Sequence, residues 1–213
     1  TSTSEGLQPE DLTKYLNEYF SEMTAIALEC GATIDKYIGD AMMVFFGDPD
    51  SKGEREDARA CVNMALRMRD KISNLQLKWQ KQGFSEPFQV RMGMNTGYCN
   101  VGNFGSDQRL TYTIIGSEVN VAQRLETSAE SGGILMSYET YAHAQDLIEV
   151  EQLESISMKG VNREIKVFSV LNELRERNKK SFASQTLKTV PERIGDRLDA
   201  LETKIEEILV RIK

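Results

Sequence analysis

A tight turn constrains this fold more than any other feature of the chain. In "ATIDKYIGDAMMVFFG", residues 32–47, two β-rich apolar runs flank "IGD". Such a pair reads as a β-hairpin. Antiparallel partners joined this closely argue against a doubly wound parallel sheet. Three charged residues interrupt the run: Asp35, Lys36 and Asp40. Each is either a turn residue or a site residue. Asp35 and Lys36 are expected on alternate faces of the first strand, and a structural turn role for Asp40 is a fair alternative to a chemical one.

Helices surround the hairpin. "QPEDLTKYLNEYFSEMTAIALECG" carries Pro9 near its start, Glu10 and Asp11 in its first turn, and Gly31 after its end. Leu12, Leu16, Tyr19, Phe20, Met23, Ile26, Ala27 and Cys30 recur at helical spacing. Residues 54–82 read as a second long helix. Strands are expected at 88–97, at "RLTYTIIG" and at the apolar "ILMS". A helix over "SEVNVAQRLETSAESGG" has Ser117 as its expected cap and Gly132–Gly133 as its stop. "YETYAHAQDL" reads as a short helix and "ISMKGVNREIKVFSV" as a terminal hairpin. Helices alternating with short-turned strand pairs predict an α+β fold with a mixed sheet.

The 213 residues suffice for one domain with an appendage, residues 1–171 being the domain. Residues 172–190 are polar and read as a linker. Beyond Pro191 an apolar stripe of Ile194, Leu198, Leu201, Ile205, Ile208 and Ile212 is spaced 4, 3, 4, 3, 4. That spacing suits an amphipathic helix over 191–213, packed on the domain or joined to a second chain as a short coiled coil.

Composition excludes several functions. A net charge of −7 argues against a nucleic-acid partner. Cys30, Cys61 and Cys99 are odd in number and lack metal spacing, which predicts reduced thiols in a cytoplasmic setting. No apolar run approaches the ~18 residues needed to span a bilayer, so no membrane contact is expected within this chain and any tether would lie outside it. The single histidine, His143, is expected on a helix surface and argues against a Ser-His-Asp hydrolase.

An enzyme here must work with carboxylates, Arg, Lys and metals. Arg91 lies among apolar neighbours, where it would form a salt bridge or contact phosphate. Asn120 and Arg124 are four apart and share a helix face, with Val119, Ala122 and Leu125 expected to supply the apolar side. Lys159 precedes Gly160 at a turn. The glycines of "GYCNVGNFG" fit no phosphate-loop motif. Spacing alone names no reaction.

Taken together, "IDKYIGDAMMVFFGDP", "VRMGMNTGYCNVGNFGSDQRLTYTIIGSEVNVAQRLE" and "SMKG" resemble the catalytic domain of class III nucleotidyl cyclases, most of all bacterial adenylyl cyclases that act as homodimers. The resemblance runs from about residue 3 to 171. It implies a ferredoxin-like βαββαβ-derived core with extensions, and conversion of ATP to 3′,5′-cyclic AMP and pyrophosphate. It implies two Mg²⁺ or Mn²⁺ ions per site, with Asp40 as a metal ligand. Lys36 and Thr113 match the purine-reading positions; Lys36 implies adenine, while Thr113 departs from the Asp found in many members. Asn120 matches the ribose-orienting residue and Arg124 the transition-state arginine. Arg91 and Lys159 match triphosphate contacts. Asp35 matches no assigned role and is expected at the surface or in a salt bridge.

The resemblance further implies that Asp40 and Arg91 of one chain work with Lys36, Thr113, Asn120, Arg124 and Lys159 of the other. The family's first strand, with its first metal Asp, is expected upstream of Thr1, and an upstream sensor domain would suit such an output module. Two alternatives stay open: a catalytically silent cyclase-homology domain, favoured by the missing Asp, and a guanylyl cyclase, disfavoured by Lys36.

Overall fold

The computed structural model describes residues 8–85, 87–158 and 161–174. These residues form α1 (Pro9–Glu29), β1 (Thr33–Ile38), β2 (Ala41–Phe45), α2 (Glu54–Lys81), β3 (Met92–Met94), β4 (Asn100–Ser106) and β5 (Arg109–Ile115), followed by α3 (Ser117–Ser128), β6 (Ile134–Ser137), α4 (Tyr138–Ala144), β7 (Ile148–Gln152), β8 (Ile156–Met158), β9 (Val161–Ile165) and β10 (Val167–Glu173). The chain divides into units Thr1–Asn172 and Glu173–Lys213. Most of the linker at 172–190, the heptad helix at 191–213 and Lys159 lie outside the described residues.

Helix α1 ends as its sequence dictates. Gly31 takes φ +83°. Its N–H donates to Leu28 O at 3.0 Å, and Ala32 N–H reaches back to Ala27 O at 3.0 Å. This left-handed cap satisfies the last carbonyls and feeds the chain into β1 within two residues. Tyr15, Tyr19, Met23, Ile26 and Ala27 bury one face against Met64, Met68, Ile72, Leu75 and Trp79 of α2. Tyr15 extends the predicted stripe by one position. At the far end of the contact Glu18 accepts from Trp79 Nε1 at 2.8 Å and pairs with Lys78.

Four strands form a mixed sheet in the order β3-β6-β10-β7. Strand β3 runs parallel to β6, and β10 antiparallel to it. Strand alternation loads both faces. Ile134, Met136, Phe168 and Val170 face Val62, Ala65 and Leu66 of α2 and Ala144 of α4. Leu135 and Val167 face Val121 and Leu125 of α3 and Ala129 just beyond its end. Helix α3 thus buries Val121 and Leu125, not the expected Val119 and Ala122. Hairpins β1–β2, β4–β5 and β8–β9 are separate two-stranded sheets.

The α+β expectation holds, and the order α1-β1-β2-α2-β3 is the βαββαβ series without its first strand among the described residues. There, β2 pairs only with β1, and β3 only with β6. Several boundaries differ from the sequence reading. The strand expected over 88–97 shrinks to Met92–Met94, because pairing with β6 extends over those three residues alone. Helix α3 stops at Ser128 rather than at the glycine pair: Ala129 turns extended, and Gly133 O is needed by Met92 N–H at 3.0 Å. Ser117 is the first helical residue, with Gly116 at the cap position. The expected terminal hairpin divides into β8–β9 and the sheet strand β10. Strand β7 was not anticipated. No helix of the described residues is long and apolar enough to cross a membrane.

Gly93 lets α3 lie directly on β3. A Cβ there would sit 2.2 Å from Glu126 N and 2.3 Å from Ala122 O, both backbone atoms. Gly93→Ala is expected to cost about 1–3 kcal/mol or more by overpacking, read as a lower urea midpoint. The hydrogen bonds from Lys78 and Trp79 hold the Glu18 carboxyl below its ordinary value. A depressed carboxylate stabilises the fold above its unfolded pKa and loses that contribution as pH falls through the folded one. Glu18→Gln should therefore flatten the loss of melting temperature on acidification below the ordinary carboxylate range.

Candidate active site

The hairpin β1–β2 turns at Gly39-Asp40, with Ile38 paired to Ala41. Gly39 has φ +62° and Asp40 does not share a positive φ. A positive φ at the first central position alone is the requirement of a type II′ turn. Asp40 is exposed at its tip. Its charge, after burial, contributes to pushing the Tyr19 phenol up to about 12. Among the described residues no three His, Cys, Asp or Glu side chains gather where they could hold an ion. Asp40 is a hard oxygen ligand of the right kind, but one carboxylate is not a two-ion site.

Behind the turn, β1 is irregular. Ile34 pairs with Val44 and Lys36 with Met43, so Asp35 is an extra residue in the ladder. This β-bulge breaks the expected alternation of Asp35 and Lys36. Both side chains reach β5. Lys36 Nζ donates to Thr113 Oγ1 at 2.9 Å, and Asp35 Oδ1 accepts from Ile114 N–H at 3.3 Å. Lys36 Nζ also lies 3.2 Å from Asp35 Oδ2. The Asp35 side chain is 0% exposed and that of Lys36 42%. Asp35 is thus a buried ion-pair partner rather than a surface residue. Thr113 is buried, with its hydroxyl engaged by Lys36. The two expected purine-reading residues, 77 positions apart, are joined within one chain.

Asn120 and Arg124 are exposed on α3, on the side away from buried Val121 and Leu125. The start of this helix is pinned by polar contacts. Asn95 Nδ2 donates to Glu118 O at 3.0 Å and to Glu118 Oε2 at 2.8 Å. Arg163 of β9 donates to the same Oε2 at 2.7 Å and lies 3.0 Å from Glu139 Oε1. Gly97 leaves room for this carboxylate, since a Cβ there would lie 2.5 Å from Glu118 Cγ. Neither Glu118 nor Arg163 stood out in the sequence.

Arg91 precedes β3 and is exposed, not buried. Its Nε donates to Glu126 Oε1 at 2.6 Å. Arg91 therefore makes a salt bridge, to Glu126 of α3. The structure brings Lys36 together with Thr113, and Asn120 together with Arg124.

A tight hairpin with an acidic tip, a part-buried Lys–Thr bridge and an exposed Asn/Arg pair on one helix are the features of this domain that bear on its chemistry. Residues 1–172 match the adenylate and guanylate cyclase catalytic domain, and the chain belongs to that family. It is similar to the crystal structure of the adenylyl cyclase CyaB from P. aeruginosa, at 48% identity and a TM-score of 0.77 over 80% of this chain and 87% of that one. It is similar also to the guanylyl cyclase Cya2, at 34% identity and 0.74 over 81% and 86%. Among curated relatives, Adenylate cyclase 1 of Rhizobium meliloti is 29% identical over 84% of this chain, which spans only 27% of that protein. The family uses divalent metals, and its cyclase domains act as dimers that bind nucleotide.

The Lys36–Thr113 contact is measurable without substrate. Thr113→Val keeps the shape and removes the acceptor. It is expected to cost about 0.5–1.5 kcal/mol, read in urea unfolding against the wild type.

Proposed function

We propose that this domain converts ATP to 3′,5′-cyclic AMP and pyrophosphate at sites shared across a homodimer. The observation that carries the choice of ATP is the Lys36 ammonium, held against β5 at the base-reading position. An ammonium only donates; adenine N1 accepts, whereas guanine N1 carries a proton. Thr113 is buried and bound to Lys36, so it serves adenine recognition through that lysine.

The other residues have distinct tasks. Asn120 orients the ribose, and Arg124, four residues along the same exposed face, meets the charge developing at the α-phosphate. Arg91 and Lys159 hold the triphosphate; Arg91 leaves Glu126 to do so. Asp40 would supply one carboxylate to the two Mg²⁺ or Mn²⁺ ions, and their further ligands would have to come from outside the described residues. Bound there, the ions would neutralise phosphate charge. A strand carrying the family's other Asp, added between the open edges of β2 and β3, would complete the sheet.

Exposed Asn120 and Arg124 leave a polar face of α3 accessible to a second copy. Tyr37, Ile38, Leu110, Tyr112 and Ile115 leave the β1–β2 and β4–β5 hairpins partly apolar at the surface, as a dimer face requires. The heptads at 191–213 would raise the effective concentration of the partner domain. A silent nucleotide-binding homology domain is the second reading, favoured by the lack of a carboxylate cluster among the described residues.

The full-length protein with ATP and Mn²⁺ or Mg²⁺ separates the two, since absence of cyclic AMP from a folded dimer rejects catalysis. Asp40→Ala and Arg124→Ala are each expected to abolish activity. Mixing the two should restore about one working site per heterodimer; no rescue would contradict the shared site.

A further inference from the structure

The buried carboxylate beside Lys36 has no task in the mechanism above. Asp35 is the bulge residue of β1. Bulges re-aim side chains and recur beside active sites. Here the extra residue turns a carboxylate inward, between β1 and β5, where its side chain is 0% exposed. Its Oδ1 takes the Ile114 N–H at 3.3 Å. Its Oδ2 makes no hydrogen bond, and the Lys36 ammonium stands 3.2 Å away. A buried carboxylate is costly unless a cation attends it. Lys36 is therefore bound to this spot by the cost of leaving Asp35 alone.

The donor count completes the argument. An ammonium has three N–H groups. One goes to Thr113 Oγ1 at 2.9 Å, and a second is drawn towards Asp35. The third remains for an acceptor on a ligand, and its direction is set by the other two. A lysine without these ties would sweep a wide cone and read a base edge poorly.

We propose that Asp35 is a positioning residue that sets base specificity, by aiming the Lys36 ammonium and by excluding an acidic residue at position 36. This rests on the reading of Lys36 as the base contact given above. The second half follows from the first. A glutamate at position 36 would place two carboxylates side by side at the bulge, one of them buried, and like charges so placed repel strongly. A change of base preference at position 36 therefore requires Asp35 to be neutralised with it.

Two measurements on the full-length protein test this. Asp35→Asn keeps an acceptor for Ile114 N–H and removes the charge facing Lys36. Its ATP-over-GTP preference, in kcat/KM and in binding of fluorescent ATP and GTP analogues, should fall about tenfold, the loss of one charge-assisted contact. The loss should appear mainly in KM for ATP. A folded Asp35→Asn protein with unchanged preference and KM overturns the proposal. Should that variant fold poorly, melting temperatures decide instead. Lys36→Glu should melt below the wild type, and Asp35→Asn added to it should recover most of the loss. A double variant that melts no higher than the single one overturns the proposal. Wild-type protein that forms no cyclic nucleotide rejects the activity alone, because the melting comparison involves no substrate.

Discussion

The structure depends on α2 packing in two directions at once. Met64, Met68, Ile72, Leu75 and Trp79 lie against α1, and Val62, Ala65 and Leu66 against the four-stranded sheet. The β1–β2 hairpin, which bears Lys36 and Asp40, has no hydrogen-bonded ladder to that sheet among the described residues. Its placement comes from side chains: Ile34, Met42 and Val44 pack with the α1–α2 core, as does Met92 of β3. Hydrophobic packing alone is non-directional. It brings the hairpin near and leaves its orientation to be set by something else.

Polar pins supply the orientation. Lys36 to Thr113 and Asp35 to Ile114 N–H fasten β1 to β5. Glu118, held by Asn95 and Arg163, fastens the start of α3 to the end of β3 and to β9. Arg69 donates to Val170 O and Leu171 O and ties α2 to β10. Each pin is a directional contact between elements distant in sequence. Lys36 and Asn120, the residues proposed to meet base and ribose, each sit within two positions of such a contact. A site that must hold two ends of one nucleotide needs this kind of support, because a misplacement of about 1 Å costs orders of magnitude in rate.

What was legible in the sequence followed from local rules. Pro9 and Gly31 bracket α1 because proline suits a first helical turn and glycine a left-handed cap. Gly39-Asp40 declares its turn for the same reason. The apolar "ILMS" run is buried on both faces as β6, as unbroken hydrophobicity implies. What was not legible depends on register and pairing. Strand alternation assigns Asp35 and Lys36 to opposite faces, and only the bulge, seen in the pairing of Ile34 with Val44 and Lys36 with Met43, reverses that. The length of β3 is fixed by its partner, and the end of α3 by the demand of Met92 for Gly133 O. A signal for Asp35 did exist: a carboxylate inside an apolar β run has to be compensated, and the next residue is a lysine.

The bulge also explains how a single hairpin can serve two tasks. In a regular strand, a base-reading lysine and its buried counter-charge could not be neighbours in sequence and act on the same side. One extra residue makes this possible and leaves the turn, four residues on from Lys36, free to present Asp40 to solvent. The two hairpin residues with proposed roles are thus held by different contacts. Lys36 is fixed by its contacts to β5, whereas Asp40 is fixed by the II′ turn and by packing of the strands beneath it. In the proposed dimer these residues belong to different sites.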